Sequence, residues 1–323
     1  MKLTQADALA IFHNRLAALE AEANGERPTH LMVPLDWHAL YRREMNTEWL
    51  VENVWPRGRQ CHMHAARKTG KSLISLWIAC ELACGRDPFT GVNVPAVRMG
   101  YLDYEMTESD LLERLEDMGY TESDHENLRY YLHPHIPKLD TMDGGKALLE
   151  TLAYDEVKAI VIDTMSRVVA GDENSNDTYI RFYAHTGALL KSDGIAMLRL
   201  DHEGHETGRS RGASAKADDV DIVWQLREVD NGLQFVRKAA RMSWIPEKLT
   251  VVRTTEPLRF AASGEAWPAG TMEKVKELDD CKVPTDVSRR KASEMLKTGG
   301  YTPGKTIVLN AAMRFRQTRI LGI

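Results

Sequence analysis

The chain has 323 residues, of which 43% are hydrophobic and 28% charged, which is typical of an ordinary globular protein. Its net charge of −5 argues against a protein that binds polyanions by bulk electrostatics. No stretch reaches the roughly 18 to 20 apolar residues that a membrane-spanning helix needs, and the first residues lack the pattern of a secretory signal. Four cysteines suggest no disulfide framework, so we expect a cytoplasmic protein without a membrane partner.

The sequence is predicted to form a helical segment, a core, a linker and a basic helical unit. These cover residues 1–46, 47–258, 259–275 and 276–323. The first segment begins with an amphipathic helix from Thr4 to about Asn24. From Pro284 onward, eight Lys or Arg residues stand against two acidic residues, a local charge of +6 that leaves −11 for the rest of the chain.

Strand and helix patterns alternate through the core. The predicted strands are Gln60–Ala65, Arg98–Tyr104, Ala159–Ile162 and Ile195–Leu200, and the predicted helices are Lys71–Cys84, Glu108–Met118 and Thr178–Lys191. A hairpin is predicted around Asp230-Asn231-Gly232. This alternation indicates an α/β fold, a mostly parallel sheet with helices on both faces.

Residues 65–72 carry the strongest motif of the sequence. They match the phosphate-binding pattern G-x-x-x-x-G-K-[ST] except at the first position, where Ala65 replaces glycine. Between a strand and a helix, such a loop turns its backbone N–H groups toward phosphates. Lys71 would reach the β and γ phosphates, and the Ser72 hydroxyl would bind Mg²⁺. We therefore predict a site for ATP and Mg²⁺ formed by Ala66, Arg67, Lys68, Thr69, Gly70, Lys71, Ser72 and Leu73.

Polar residues at the ends of three further strands complete the predicted catalytic site. Asp163 follows the apolar run Ala159–Ile162 and is predicted to be the second Mg²⁺-orienting residue. Thr164 follows it, so the base that activates water must come from elsewhere. Glu105 and Asp103 are the two candidates, because a carboxylate at that strand end could accept the proton of the attacking water. His202 could hydrogen-bond the γ-phosphate; a metal site with His205 is the alternative.

The order and spacing of these motifs resemble the RepA-like branch of the RecA and hexameric-helicase superfamily, a group common in plasmids and bacteriophages. The residues that carry the resemblance are Arg67 to Leu73, Tyr101 to Met106, Ile162 to Thr164, Asp201-His202 and Arg211 to Lys216. The resemblance covers about half of the chain, from Trp49 to Leu226.

The resemblance implies a RecA-like fold in which the His202 strand lies between the phosphate-loop strand and the Asp163 strand. It also implies that Glu105 rather than Asp103 is the catalytic base. Arg211 is similar to the arginine that reaches the γ-phosphate of the neighbouring subunit in ring-shaped members, which implies a homo-oligomer, a hexamer by analogy. Arg209 is the rival for this role, and an ordinary ion-paired loop arginine is the alternative.

Two parts of the sequence are candidates for DNA contact. The loop Glu203–Lys216 corresponds to the channel-lining loop of RecA-like proteins and contains basic residues, although it has no aromatic residue on which a base could stack. The C-terminal helices Val287–Thr298 and Lys305–Thr318, around a Gly-containing turn, resemble a helix-turn-helix fragment. The alternative is a helical pair that packs on the core or on a partner.

The leading hypothesis is a DNA-dependent ATPase, a ring-forming helicase or translocase that acts on single-stranded DNA in replication, with replication proteins as possible partners. One alternative is an assembly or loader protein in which ATP controls oligomerisation without strand separation. Another is a recombinase that coats DNA as an open filament.

Overall fold

A computed structural model describes residues 35–42, 48–172, 175–202, 218–263 and 270–320. The chain divides into two compact units, residues 1–46 and 47–323. In the first, the described element is the helix α1 (Trp37–Arg42). The predicted amphipathic helix from Thr4 lies outside the described residues. Within the described part of the chain, no helix is both long and apolar enough to span a membrane.

Two short strands, β1 (Trp49–Val51) and β2 (Trp55–Pro56), form an antiparallel pair at the start of the second unit. A nine-stranded sheet follows. Its strands are β3 (Gln60–Ala65), β4 (Met99–Asp103), β5 (Leu128–Leu132), β6 (Ala159–Asp163), β7 (Ala196–His202), β8 (Ile222–Val229), β9 (Gly232–Ala240), β10 (Lys248–Thr255) and β11 (Leu258–Ala262).

The strand order is β11-β10-β9-β8-β3-β7-β6-β4-β5. Six neighbouring strands run parallel to one another; they are β8, β3, β7, β6, β4 and β5. Beside β8, the strands β9, β10 and β11 continue the sheet as an antiparallel meander. The predicted α/β class with a mostly parallel, RecA-like sheet is confirmed, and β7 lies between β3 and β6 as the resemblance implied. The carboxyl ends of β3, β7, β6 and β4 therefore meet at one edge.

Helices cover both faces of the sheet. They are α2 (Lys71–Ala83), α3 (Glu108–Asp117), α4 (Met142–Tyr154), α5 (Met165–Val168), α6 (Asn176–Phe182) and α7 (Ala188–Ser192). On one face, α2 is buried along nearly its whole length and shares a hydrophobic cluster with β3, β6 and β7. On the other face, Leu152 of α4 packs near Gly100 of β4, and Tyr179 and Phe182 of α6 pack against buried Arg199 of β7.

Two predictions about the elements were wrong in detail. The single helix predicted for Thr178–Lys191 is interrupted by a π-helical turn, Tyr183–Gly187, whose Gly187 carbonyl accepts a hydrogen bond from the buried Gln60 side chain. The linker was predicted to begin at residue 259, but residues 258–262 form the strand β11. The side chains of this strand alternate between buried and exposed over only five residues, too short a pattern to separate from the neighbouring Ala- and Gly-rich stretch.

Three helices end the described chain: α8 (Thr271–Asp280), α9 (Arg289–Thr298) and α10 (Thr306–Ile320). They have a hydrophobic cluster of their own, formed by Val275, Leu278, Val283, Ala292, Leu296, Leu309 and Ala312. Helices α9 and α10 correspond to the predicted helical pair. Arg316, counted in the basic charge, is held by the Asp279 carboxylate at 2.6 Å and the Val283 carbonyl at 2.7 Å, so this charge has a structural partner.

Candidate functional site

The loop between β3 and α2 has the backbone of a phosphate-binding turn. Lys68 and Gly70 adopt left-handed conformations, with φ of 64° and 93°. Glycine adopts such a φ without steric cost, which explains Gly70 directly before the first residue of α2. The first N–H groups of a helix have no intrahelical acceptor, so the start of α2 offers donors and a positive dipole end to an anion. The Thr69 hydroxyl donates to the Ala66 carbonyl at 2.9 Å and braces the loop.

Lys71, the first residue of α2, places its ammonium group at the base of the loop. Its side chain is buried, and Nζ lies 3.3 Å from the Ala65 carbonyl, 3.4 Å from the Ala66 carbonyl and 3.4 Å from Nδ1 of His202. These contacts join the loop to the end of β7, where Ala65 and His202 are partners in the sheet register. Lys71 and His202, 131 residues apart in the sequence, are therefore in contact.

Asp163, at the end of β6, is 2% exposed and faces the start of α2. It shares a hydrogen bond with the Ser72 side chain, and its Oδ2 accepts a hydrogen bond from the Tyr101 hydroxyl at 2.9 Å. Burial raises the pKa of Asp163 to about 6; the hydrogen bonds from Ser72 and Tyr101 oppose this shift, and the charges of Asp103 and Glu105 add to it. A cation beside Ser72 and Asp163 would favour the ionised carboxylate.

The described residues contain no cluster of three or more His, Cys, Asp or Glu side chains that could by itself hold a metal ion. His205, the suggested metal partner of His202, lies outside the described residues. The pair Ser72 and Asp163 fits Mg²⁺, which proteins bind through one or two side chains while phosphates and water supply the other ligands.

The two candidate bases occupy different environments. Asp103 is completely buried, and its Oδ1 accepts hydrogen bonds from the backbone N–H groups of Glu105 at 2.7 Å and Met106 at 3.3 Å. Its Oδ2 accepts a further hydrogen bond from Tyr130 at 2.5 Å. Glu105 is exposed and lines the same cavity as Lys71 and Asp163. The structure therefore favours Glu105 as the carboxylate that can reach water, and Asp103 as part of its support.

His202 is half-buried at the end of β7, and its backbone N–H donates to the Asp201 side chain at 2.8 Å. Burial lowers the pKa of His202, and the positive charge of Lys71 lowers it further. The imidazole is therefore neutral at neutral pH, and one ring nitrogen remains a hydrogen-bond donor.

A cavity of about 670 Å³ collects these groups. This volume lies within the range of small-molecule sites, roughly 300 to 1,000 Å³. Its lining consists of Lys68, Gly70, Lys71, Ser72, Leu73, Glu105, Asp110, Glu113, Arg114, Asp117, Asp163, Thr164, His202, Arg253 and Leu258. Ala66, Arg67 and Thr69 are absent from this lining, and Arg67 is exposed.

The sequence did not predict the parts of the cavity wall that come from α3, β10 and β11. Arg114 and the acidic side chains beside it come from α3, and Arg253 and Leu258 come from β10 and β11. A charged amphipathic helix such as α3 looks like an ordinary solvated surface helix in the sequence. Arg253 lies in a stretch with no motif, and it reaches the cavity because the antiparallel strands extend the sheet beside the loop.

Arg211, Arg209 and the rest of the channel-loop candidate lie in residues 203–217, outside the described residues. The flanking residues are described on both sides. Arg199 of β7 forms a bidentate ion pair with Asp219, in which both nitrogen–oxygen distances are 2.7 Å. Asp219, two residues after the end of this range, is therefore paired with β7.

Comparisons with known proteins give one family match and one similar solved structure. A family model described as an AAA domain, AAA_25, matches residues 25–208, which include the phosphate loop, Glu105, Asp163 and His202. Among solved structures, the chain is similar to a KaiC-like protein from the hyperthermophilic archaeon Pyrococcus horikoshii OT3. The sequence identity is 12% and the TM-score 0.49, and the alignment covers 69% of this chain and 99% of that protein. A search of curated proteins finds no match.

Proposed function

The chain belongs to the AAA domain family of P-loop ATPases, and we propose that it is a ring-forming helicase or translocase that hydrolyses ATP with Mg²⁺ on single-stranded DNA. One observation carries the enzymatic part. Five polar side chains from three separate strand ends and one helix start share a single cavity; they are Lys71, Ser72, Glu105, Asp163 and His202.

Each side chain has a role that its position supports. The loop from Ala66 to Gly70 and the start of α2 would hold the phosphates, with Lys71 at the β and γ phosphates. Ser72 and Asp163 would hold Mg²⁺, which neutralises charge on the phosphate oxygens when it is bound.

The remaining two polar groups would act on the attacking water and on the γ-phosphate. Glu105 is exposed to the cavity and would orient the water and accept its proton. The neutral His202, in contact with Lys71, would donate a hydrogen bond to the γ-phosphate.

The motor part of the proposal is supported by how the chain continues from the site. His202 is the last residue of β7, and residues 203–217 follow it directly. Because Asp219 is paired with Arg199 of the same strand, a shift of β7 would act on described residues both before and after this range. We propose that this segment contacts DNA and that Arg211, or its rival Arg209, acts on the nucleotide of a neighbouring subunit in a hexamer.

The first test is steady-state ATP hydrolysis with and without single-stranded DNA. Lys71→Ala serves as the inactive reference. The matched control is Lys158→Ala, because Lys158 is an exposed lysine just before β6. We expect turnover in the wild type and the control, stimulation by DNA, and a loss of at least about 10²-fold in Lys71→Ala, since it removes the main phosphate cation.

The other outcomes identify other functions. A low rate that ignores DNA would overturn the motor proposal and favour the ATP-gated assembly or loader protein. Filaments on DNA in electron micrographs, in place of closed rings, would favour the recombinase.

A further inference from the structure

Two tyrosines on neighbouring strands lie directly behind the candidate catalytic carboxylates. Tyr101 of β4 and Tyr130 of β5 are partners in the parallel register. Their rings stack with centroids 4.9 Å apart and planes 7° from parallel. Tyr101 is completely buried and Tyr130 is half-buried. This stacking fixes both rings, so each hydroxyl has a defined position.

The Tyr130 hydroxyl acts on the turn that presents Glu105. It donates to Oδ2 of Asp103 at 2.5 Å, and Oδ1 of the same carboxylate accepts the backbone N–H groups of Glu105 and Met106. An aspartate that binds the N–H two residues ahead holds the chain in a tight turn. Tyr130 thus restricts the Asp103 side chain, and Asp103 fixes the backbone from which Glu105 projects.

The Tyr101 hydroxyl acts on the metal half of the site. It donates to Oδ2 of Asp163 at 2.9 Å and lies 3.4 Å from the backbone carbonyl of Ser72. It therefore connects the end of β6 to the start of α2. Burial raises the pKa of both phenols, so both stay protonated and remain donors at any pH at which the protein works.

We propose that Tyr101 and Tyr130 are positioning residues with separate roles. Tyr130 holds Glu105 in place through Asp103, and Tyr101 holds Asp163 beside Ser72. The inference rests on the proposed function, because it assumes that Glu105 activates water and that Asp163 orients Mg²⁺. It predicts that removing each hydroxyl affects a different kinetic quantity, although the rings touch.

Tyr130→Phe tests the first half, since it keeps the stacked ring and removes one hydroxyl. We expect kcat for ATP to fall about tenfold or more, because a misplaced catalytic group costs up to roughly 10²-fold, while KM changes less than about twofold. The matched control is Tyr131→Phe, on the same strand, whose hydroxyl donates instead to Asp155 at 2.6 Å. The control is expected to keep the wild-type kcat and KM.

Tyr101→Phe tests the second half by two Mg²⁺ titrations, one of the ATPase rate at saturating ATP and one of Mg²⁺ binding, followed by isothermal titration calorimetry, to the protein saturated with a non-hydrolysable ATP analogue. We expect the Mg²⁺ concentration at the midpoint of each titration to rise about tenfold in Tyr101→Phe, because the hydrogen bond that holds the proposed metal ligand Asp163 is lost. In Tyr130→Phe it should stay at the wild-type value. Should Tyr130→Phe fail to fold, as judged by circular dichroism, a wild-type Mg²⁺ requirement in Tyr101→Phe alone overturns the proposal.

A double variant separates positioning from general loosening of the fold. In single-turnover reactions, Glu105→Gln with Tyr130→Phe should be no slower than Glu105→Gln alone, because Tyr130 acts through Glu105. Equal slowing by Tyr130→Phe in both backgrounds overturns the inference, as does a wild-type kcat in Tyr130→Phe. Failure of the proposed function gives a different result, which is absence of turnover in the wild type or full activity in Glu105→Gln.

Discussion

At the scale of single residues, the three carboxylates Asp163, Asp103 and Glu105, at or directly behind the cavity, have three different environments. Asp163 is buried with hydroxyl donors from Ser72 and Tyr101, and burial raises its pKa to about 6. Asp103 is buried and receives hydrogen bonds from three donors. Glu105 is exposed to the cavity. Because environment can assign carboxylates to different tasks, we propose that Asp163 binds the metal, Asp103 supports the turn and Glu105 acts on water.

The raised pKa of Asp163 predicts how the metal-free protein responds to pH. The folded form binds this proton more tightly than the unfolded chain, whose aspartate has a pKa of 3.8. Stability from this group is therefore complete below pH ~4 and is lost as the pH rises toward ~6. At about 1.4 kcal/mol per pKa unit, the loss is about 3 kcal/mol. The substitution Asp163→Asn should remove this pH-dependent loss of stability.

We expect Asp163→Asn, without metal, to raise the free energy of unfolding at pH 7.5 by up to about 3 kcal/mol while it abolishes Mg²⁺-dependent turnover. Urea denaturation of both proteins in EDTA at pH 4 and at pH 7.5 measures the difference. A variant that is less stable than the wild type at pH 7.5 would contradict the assignment of a buried, destabilised carboxylate.

The contrast between Glu105 and Asp103 gives a second prediction. Glu105→Gln should lower kcat by about 10² to 10⁴-fold, the usual contribution of a general base, and leave ATP binding intact. Asp103→Asn should stay far more active, because the amide oxygen can still accept the backbone N–H of Glu105. Glu116→Gln, an exposed residue of α3 outside the cavity lining, is the control. Full activity in Glu105→Gln would refute its role.

At the scale of elements, the strand ends that form the site are completed by one local unit of the chain and by one unit that is distant in sequence. The local unit is the β3–loop–α2 connection, whose conformation follows from Gly70 and its neighbours. The distant unit is the strand pair β10–β11, which places Arg253 and Leu258 in the wall of the cavity. The phosphate end of the cavity is thus built by the loop, and another wall by strands about 180 residues later in the chain.

Arg253 is therefore expected to contribute to nucleotide binding. We expect Arg253→Ala to raise KM for ATP by about 5- to 30-fold, equivalent to roughly 1 to 2 kcal/mol of a partly exposed charged contact, with kcat nearly unchanged. Arg259→Ala is the control, since this exposed arginine of β11 lines a separate cavity. An unchanged KM, measured beside this control, would show that Arg253 does not reach the nucleotide.

At the scale of the whole molecule, the cavity is lined by part of the phosphate loop together with Ser72, Asp163 and Glu105, all from one chain. The arginine that would complete it, Arg211 or Arg209, is expected from a neighbouring subunit. This expectation rests on the resemblance and on the position of these residues in the sequence after His202, the last residue of β7.

Mixing inactive subunits tests the shared site. Lys71→Ala and Arg211→Ala should each be inactive alone, because an arginine that acts across subunits can be worth about 10³ to 10⁵ in rate. When mixed, they form some interfaces in which an intact loop meets an intact arginine, so part of the activity should return. The same mixture with Arg209→Ala examines the rival. Absence of recovery in both mixtures would place the arginine in the same chain or remove its role.

Much of the candidate site could be predicted because its parts are local in the sequence. The phosphate loop is a contiguous pattern, and Asp163, Glu105 and His202 each follow a recognisable strand. Parallel strands bring their carboxyl ends to the same edge, so a residue at a strand end has a predictable neighbourhood. The sheet and its class followed from the same alternation of strands and helices.

Other features depended on which distant strands lie side by side, and the tertiary structure alone decided them. The sequence by itself determined a P-loop ATPase core with Lys71, Ser72 and Asp163 at its centre, because spacing and hydrophobic periodicity are properties of short segments. The register between β4 and β5 pairs Tyr101 with Tyr130, and the position of β10 brings Arg253 to the cavity. The pKa of Asp163 also belongs to this second class, since burial by residues far apart in the chain produces it.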